Sequence, residues 1–221
     1  MPESNRPSGD VNTGYVSGAM PTGERNKSLQ ALGNIAEDQR YILSNARCLS
    51  EGIDVPALDG IAFIDPRNSE IDIIQAVGRA IRLAKGKDAG TIVIPVFIPK
   101  GEDPDAVLLS SPFKTVWAVI NALRSHDDAL AIELDGFRKQ LGKRGTVGKS
   151  PKIHFDLPTT VSAGFERALE TRLIESTTAS WEFWLGLLEA YKEELGHCRV
   201  PHGYKTASGF ALGSWVATQR L

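Results

Sequence analysis

The 221-residue sequence contains only two cysteines, Cys48 and Cys198, far apart in the chain, which excludes a disulfide framework and points to reduced thiols. It contains no apolar run of the about 18 residues that a membrane-spanning helix requires. The first thirty residues are polar and rich in Gly, Pro, Ser and Asn, without the apolar core of a signal peptide. A cytoplasmic protein with no membrane contact is therefore expected. An excess of one charge sign is also lacking: 25 Lys and Arg against 27 Asp and Glu give a net charge of -2, which by itself gives no support to nucleic-acid binding. The distribution is less even. No Asp or Glu follows Glu194, whereas Arg199, Lys205 and Arg220 do, so the C-terminal end is locally basic and open to phosphates.

Two chemical signatures are missing as well. The stretch Lys143-Arg-Gly-Thr-Val-Gly148-Lys149-Ser150 ends as a phosphate-binding loop should, but Lys143 stands where the first glycine belongs, Gly142 falls one residue early, and no apolar strand leads in. A basic linker is the better reading, and a small kinase or nucleotidase built on Gly148-Lys149-Ser150 fails on the same two counts. No Asp-Glu-x-[Asp/His] sequence occurs that would hold magnesium. His197, Cys198 and His202 form H-C-x3-H, but a closed zinc site takes four protein ligands and no fourth stands nearby, so no metal is assigned.

What is present suits one or two globular domains, with 42% apolar and 24% charged residues. After a mobile leader (1–14), the spacing predicts a strand at Tyr15-Val-Ser-Gly18 and a helix over about 23–37, with Leu29, Leu32 and Ile35 on its buried face. Short apolar strands are expected at 40–44 and 60–65, a helix at 71–83 and a buried strand at 91–98 (TIVIPVFI). Strand and helix in alternation imply a parallel α/β layer. Beyond residue 100 the period becomes helical: Val116, Trp117, Ile120 and Leu123 on one helix, then Leu130, Ile132, Leu134, Phe137 and Leu141 on the next. A basic linker over 142–152 follows, then a helix near 165–174 and another on which Trp181, Trp184, Leu185, Leu188 and Tyr191 share a face. Core packing is the expected role of Trp181 and Trp215, although Trp181, Trp184, Tyr191, Tyr204 and Trp215 also offer stacking faces to bases.

From Tyr41 to Arg82 the chain reads as a strand, a Glu51-Gly-Ile-Asp54 turn, a second strand, and a helix carrying Gln75, Gly78, Arg79 and Arg82. Arg79 and Arg82, three apart, share one helix face and can point two guanidinium forks into one cleft. In order and separation SNARCLSEGIDVP and QAVGRAIR resemble motifs V and VI of the second RecA-like domain of superfamily-2 DEAD/DEAH-box helicases, the group related to type III restriction subunits. Residues 181–221 resemble the helicase-associated domain, through Trp181, Leu188, Tyr191, Gly196, Val200, Pro201, Tyr204, Gly209, Leu212, Gly213, Trp215, Gln219 and Arg220.

This resemblance implies an α/β fold, with a partial second RecA-like domain over 15–100, a helical connector with the basic linker over 101–159, and a truncated helicase-associated module over 160–221. It implies that Arg79 and Arg82 act as arginine fingers on ATP, and that Gln75, Gly52 and Asp54 face the nucleotide. It also implies that Ser44, Asn45 and Arg47 contact the nucleic-acid backbone, DNA by family context. Ala46 stands near the usual threonine of that segment. Arg199, Lys205 and Arg220 are further candidates for phosphate contact. ATP with magnesium would be held mainly by a missing first RecA-like domain, in cis or in trans, so the chain alone is expected to be inactive. The alternative is a non-catalytic nucleic-acid-binding or interaction protein derived from a truncated helicase.

Overall fold

The computed structural model describes residues 10–36, 39–46, 58–64, 75, 78, 89–96, 107–108, 111–157 and 163–220. The chain divides after Pro95 into an α/β unit and a helical unit.

In the α/β unit, β1 (Val11–Ser17) and β2 (Arg40–Ala46) pair in parallel, from Val11 opposite Arg40 to Ser17 opposite Ala46. Parallel neighbours require a crossover, and α1 (Thr22–Gly33) supplies it. Val16 and Leu32 are buried and Leu29 is half-buried, so α1 keeps Leu29 and Leu32 of its expected apolar face, while half-buried Ile35 lies past the end of a helix four residues shorter than expected. A second parallel pair joins β3 (Gly60–Ala62) to β4 (Thr91–Val93), extended by Thr91 N–H donating to the Asp59 carbonyl (2.8 Å) and Phe63 N–H to the Val93 carbonyl (2.9 Å). Gln75 and Gly78 between them are helical.

The sequence expectations need three corrections here. Residues 11–14 belong to β1, where β2 takes up their backbone groups, so the strand starts inside the segment read as a leader. The strand expected over 91–98 ends at Val93, two residues before Pro95, which has no N–H to give to a ladder. It is also not fully buried: Val93 is 51% exposed, and on β2 Ile42 is 61% exposed. Among the described residues the strands form two two-stranded sheets, both parallel, in keeping with the expected α/β class.

The helical unit begins its described part with buried helical Val107 and Leu108, followed by α2 (Ser111–Arg124), α3 (Asp128–Arg144), α4 (Ala163–Thr177), α5 (Ser180–Leu195) and α6 (Leu212–Thr218). Residues spaced at threes and fours face inward: Phe113, Val116 and Ile120 on α2, Leu130 and Leu134 on α3, and Phe165, Leu169 and Leu173 on α4. Ile132, assigned to the apolar face from sequence, is 74% exposed, because two residues from Leu130 and Leu134 is the far side of a 3.6-residue turn. Arg124 at the end of α2 joins three helices. Its Nη2 donates to both carboxylate oxygens of Asp135 on α3 (2.7 and 2.8 Å) and its Nη1 to the Thr177 carbonyl at the end of α4 (2.8 Å). That last bond satisfies a carbonyl that helix geometry leaves without an internal partner.

The tightest contact is between α3 and α5. A Cβ on Gly142 would overlap the Phe183 carbonyl, and one on Gly186 would overlap the Lys139 carbonyl. Both glycines are buried, and the two backbones touch where they sit. Ion pairs Lys139–Glu189 (2.5 Å) and Lys143–Glu193 flank the crossing. The connector and the C-terminal module, expected as separate segments, therefore form one compact unit.

Alanine is about 1 kcal/mol better than glycine inside an ordinary helix. At Gly186 the sign should reverse, with Gly186→Ala lowering the urea-unfolding free energy of the helical unit by about 1–3 kcal/mol through overpacking. Gly136→Ala on the open side of α3 should stabilise by about 1 kcal/mol. Stabilisation by both substitutions would show that the helices do not touch.

Candidate nucleic-acid interface

The C-terminal module is built on α5, the loop 196–211 and α6. Its core is Leu187, Tyr191, Val200, Leu212 and Val216, with Phe183, Trp184, Leu188, Tyr204 and Trp215 packed against it. Gly213 lies so close to the Pro201 and His202 carbonyls that no side chain fits, which seats α6 on the loop. Tyr191 crosses Tyr204 edge to face (4.9 Å between centroids) and its hydroxyl donates to the Arg199 carbonyl (3.1 Å). The loop is thus fixed at Arg199 and Tyr204, which places Arg199 and Lys205 in solvent. Arg220, just past α6, donates from Nη2 to the Cys198 carbonyl (3.3 Å), which brings it back beside Arg199. None of the three cations has a carboxylate partner among the described residues.

Aromatic rings form the rest of this surface. Trp184 stacks on Trp215 (5.8 Å, 10° between planes), Trp181 packs on Trp215 (5.1 Å), and Phe210 meets both Trp184 (6.2 Å) and Phe183 (4.9 Å). Arg138 of α3 closes the row over the Phe183 ring at 5.1 Å. Burial draws the Arg138 guanidinium below its ordinary pKa, while Glu175 opposes the shift. Trp215 is half-buried against the core, as expected, but Trp181 is 46% exposed and not a core residue. Sequence reasoning also missed Phe183 and Phe210, whose signal was only their nearness to Trp184 and to Gly209.

The other site residues divide by location. Ser44 is exposed on β2 opposite Tyr15, and Asn45 follows it opposite Val16. Gln75 is helical and exposed. Arg47, Gly52, Asp54, Arg79 and Arg82 lie outside the described residues. His197 Nδ1 accepts from the Arg199 N–H (3.3 Å), and the described residues contain no cluster of three metal-ligating side chains. Among them no helix is long and apolar enough to cross a membrane.

The Gly-Lys-Ser segment is a strap. Residues 146–150 are irregular, Gly148 lies against the Phe137 ring, and Lys149 Nζ is bound by Glu166 (2.7 Å) and Glu170 (3.6 Å) of α4. Those carboxylates, Glu166 first, raise the Lys149 pKa, and a phosphate would have to displace both. Gly142, one position early for a phosphate loop, is the helix-crossing glycine of α3. At the other end of the strap Lys152 Nζ bonds Asp127 (2.6 Å), the N-cap of α3, whose Oδ1 also accepts from the Leu130 N–H (2.9 Å).

Residues 3–84 match the helicase conserved C-terminal domain, and residues 178–221 match the helicase-associated domain. The chain is 34% identical over 86 residues to the probable helicase A859L of African swine fever virus isolates from Kenya and Malawi, covering 39% of this chain and 9% of each viral protein. A solved structure, the ATP-dependent Type ISP restriction-modification enzyme LlaBIII bound to DNA, superposes with a TM-score of 0.64 at 31% identity, over 83% of this chain and 12% of that enzyme. The chain thus carries a segment matching the helicase conserved C-terminal domain followed by one matching the helicase-associated domain, and it spans a small part of the length of these relatives.

The Lys152 bond, then the Leu130 N–H, hold the Asp127 pKa below its ordinary 3.8. Because the folded-state value is the lower one, this contribution is complete above pH about 4 and disappears as pH falls through the folded pKa. Asp127→Ala should cost about 1 kcal/mol at pH 7. In urea unfolding the gap to the parent should narrow below pH 4; a gap constant down to pH 2 would show that the carboxylate charge does not matter at this cap.

Proposed function

We propose that this chain is the nucleic-acid-gripping and arginine-finger part of an ATP-dependent DNA helicase or translocase. One observation carries the reading. A helicase C-terminal segment is followed in the same chain by a module whose surface presents Arg199, Lys205 and Arg220 without carboxylate partners among the described residues. Cations in that state can neutralise phosphates and release their counterions, which is the sequence-independent part of nucleic-acid affinity. The solved relative, itself described as ATP-dependent and bound to DNA, supports the same assignment.

In this reading Ser44, Asn45 and Arg47 position the nucleic-acid backbone from the end of β2. Gln75, Gly52 and Asp54 face the nucleotide, and Arg79 and Arg82 place their guanidinium groups where charge gathers on the γ-phosphate. ATP and magnesium would be held mainly by a first RecA-like domain, since the chain has neither a phosphate loop in register nor the acidic magnesium motif. Of the nucleotide-facing set the structure describes Gln75 alone, and its exposed helical position leaves the side chain accessible. Cleft closure on ATP would then change the grip on the strand, and hydrolysis would release it.

The second reading, a binding or interaction protein without a motor, rests on those same missing sequence motifs. ATP turnover by the 221-residue chain, with and without single- and double-stranded DNA, should be nil. Turnover stimulated by DNA and abolished in Arg82→Ala would reveal a phosphate site in this chain and refute the division of labour. In a protein that contains both motor domains, Arg82→Ala should lower ATP turnover by about 10³ to 10⁵ while sparing DNA affinity; loss of both in a folded variant would remove Arg82 from the finger role.

A further inference from the structure

The exposure of Trp181 is the least explained feature of the C-terminal module. Its large ring is 46% exposed, although the module core lies one helical turn away. The ring is not loose: Trp215 lies 5.1 Å from it, and Trp215 is in turn stacked on Trp184 and packed against the core. One edge is anchored and the rest open, the arrangement of a stacking platform more than of a solvent-exposed remnant.

The surrounding charge identifies what such a platform would accept. Of the four glutamates on α5, Glu189 and Glu193 are engaged by Lys139 and Lys143 of α3, on the helix-crossing side, while Glu182 and Glu194 have no cation partner among the described residues. No Asp or Glu occurs over residues 195–221, while Arg199, Lys205 and Arg220 are exposed there without a carboxylate partner among the described residues. Arg220 lies just past α6, its N–H donating to the Ala217 carbonyl (3.2 Å), so it stands at the end of the helix that carries Trp215. An apolar protein partner would gain nothing from this cationic border, whereas a strand with free bases offers both a π-face and phosphates.

We infer that Trp181, backed by Trp215, stacks an unpaired base of single-stranded nucleic acid whose phosphates lie along Arg199, Lys205 and Arg220. The inference rests on the nucleic-acid reading above and gives it a strand preference: paired bases are already stacked on each other and present no face to Trp181.

Anisotropy titrations of the full 221-residue chain against a labelled 20-nucleotide oligothymidylate and a 20-base-pair duplex test this. Loss of one base–aromatic stack should make Trp181→Ala bind the single strand about 5- to 150-fold more weakly. Duplex affinity should stay unchanged, and so should the salt slope, because no phosphate contact is removed. Trp181→Phe should recover most of the loss, which a folding defect would not allow. Arg199→Ala should weaken both ligands and reduce the salt slope. If Trp181→Ala binds the single strand like the parent while Arg199→Ala is weakened, the platform is refuted and the phosphate surface stands. Dissociation of a dimer by Trp181→Ala with unchanged strand affinity also refutes it, by making the ring a self-contact. A parent chain that binds neither ligand overturns the platform and the nucleic-acid reading together.

Discussion

The contact on which the helical unit depends is the one between the α3 and α5 backbones at Gly142 and Gly186. Two helices that carried side chains there would stand apart by the usual interaxial distance of about 8–10 Å. Phe183 could then not lie under Arg138, and the lysines of α3 would not reach the carboxylates of α5. Because the glycines remove that spacing, α5 serves as a wall of the connector and as the floor of the C-terminal module at once. The matched module, 178–221, has only α5 and α6 as helices and a core of five buried residues. A core of that size is small for an independent fold, and its attachment through α5 is what makes a 44-residue segment rigid enough to present a surface.

The same contact determines the charge of that surface. Exposed ion pairs contribute little to stability, so Lys139–Glu189 and Lys143–Glu193 matter more for their effect on charge than for their energy. They occupy two carboxylates of α5 that would otherwise offset the cations of the loop and Arg220 just past α6. A module with no net excess of basic residues by count therefore presents one at its free surface. The lysines that achieve this belong to α3, outside the segment that matches the helicase-associated domain.

Some of this was readable from the residues alone. The helical state of Gln75 and Gly78 was expected from their segment, and the apolar faces of α2 and α4 follow from a period of 3.6. The linker character of the Gly-Lys-Ser segment was readable too, and residues 146–150 are irregular. What escaped was non-local. A glycine inside a helix reads only as a cost, and nothing near Gly142 announces a partner 44 residues on. Arg124 and Asp135 are eleven residues apart and meet across two helices, a spacing that no helical pattern predicts. The extent of β1 was missed because Val-Asn-Thr-Gly has little apolar alternation, and it is β2, through its ladder, that makes those residues a strand.

Trp181 shows how a correct pattern can give a wrong burial. It shares a helical face with Trp184, Leu188 and Tyr191, and the deeper members of that row do pack on the core. Helical side chains lean toward the N-terminus, so each residue covers the turn before its own Cα. Trp181 is the second residue of α5 and has no preceding turn to cover. Its ring is left 46% exposed, packed on Trp215 at 5.1 Å. The periodicity that predicts a buried tryptophan therefore holds for the interior of α5 and fails at its first turn. In an isolated helical module that would be a defect of packing; at the border of a cationic surface it leaves an aromatic face held rigidly in the solvent.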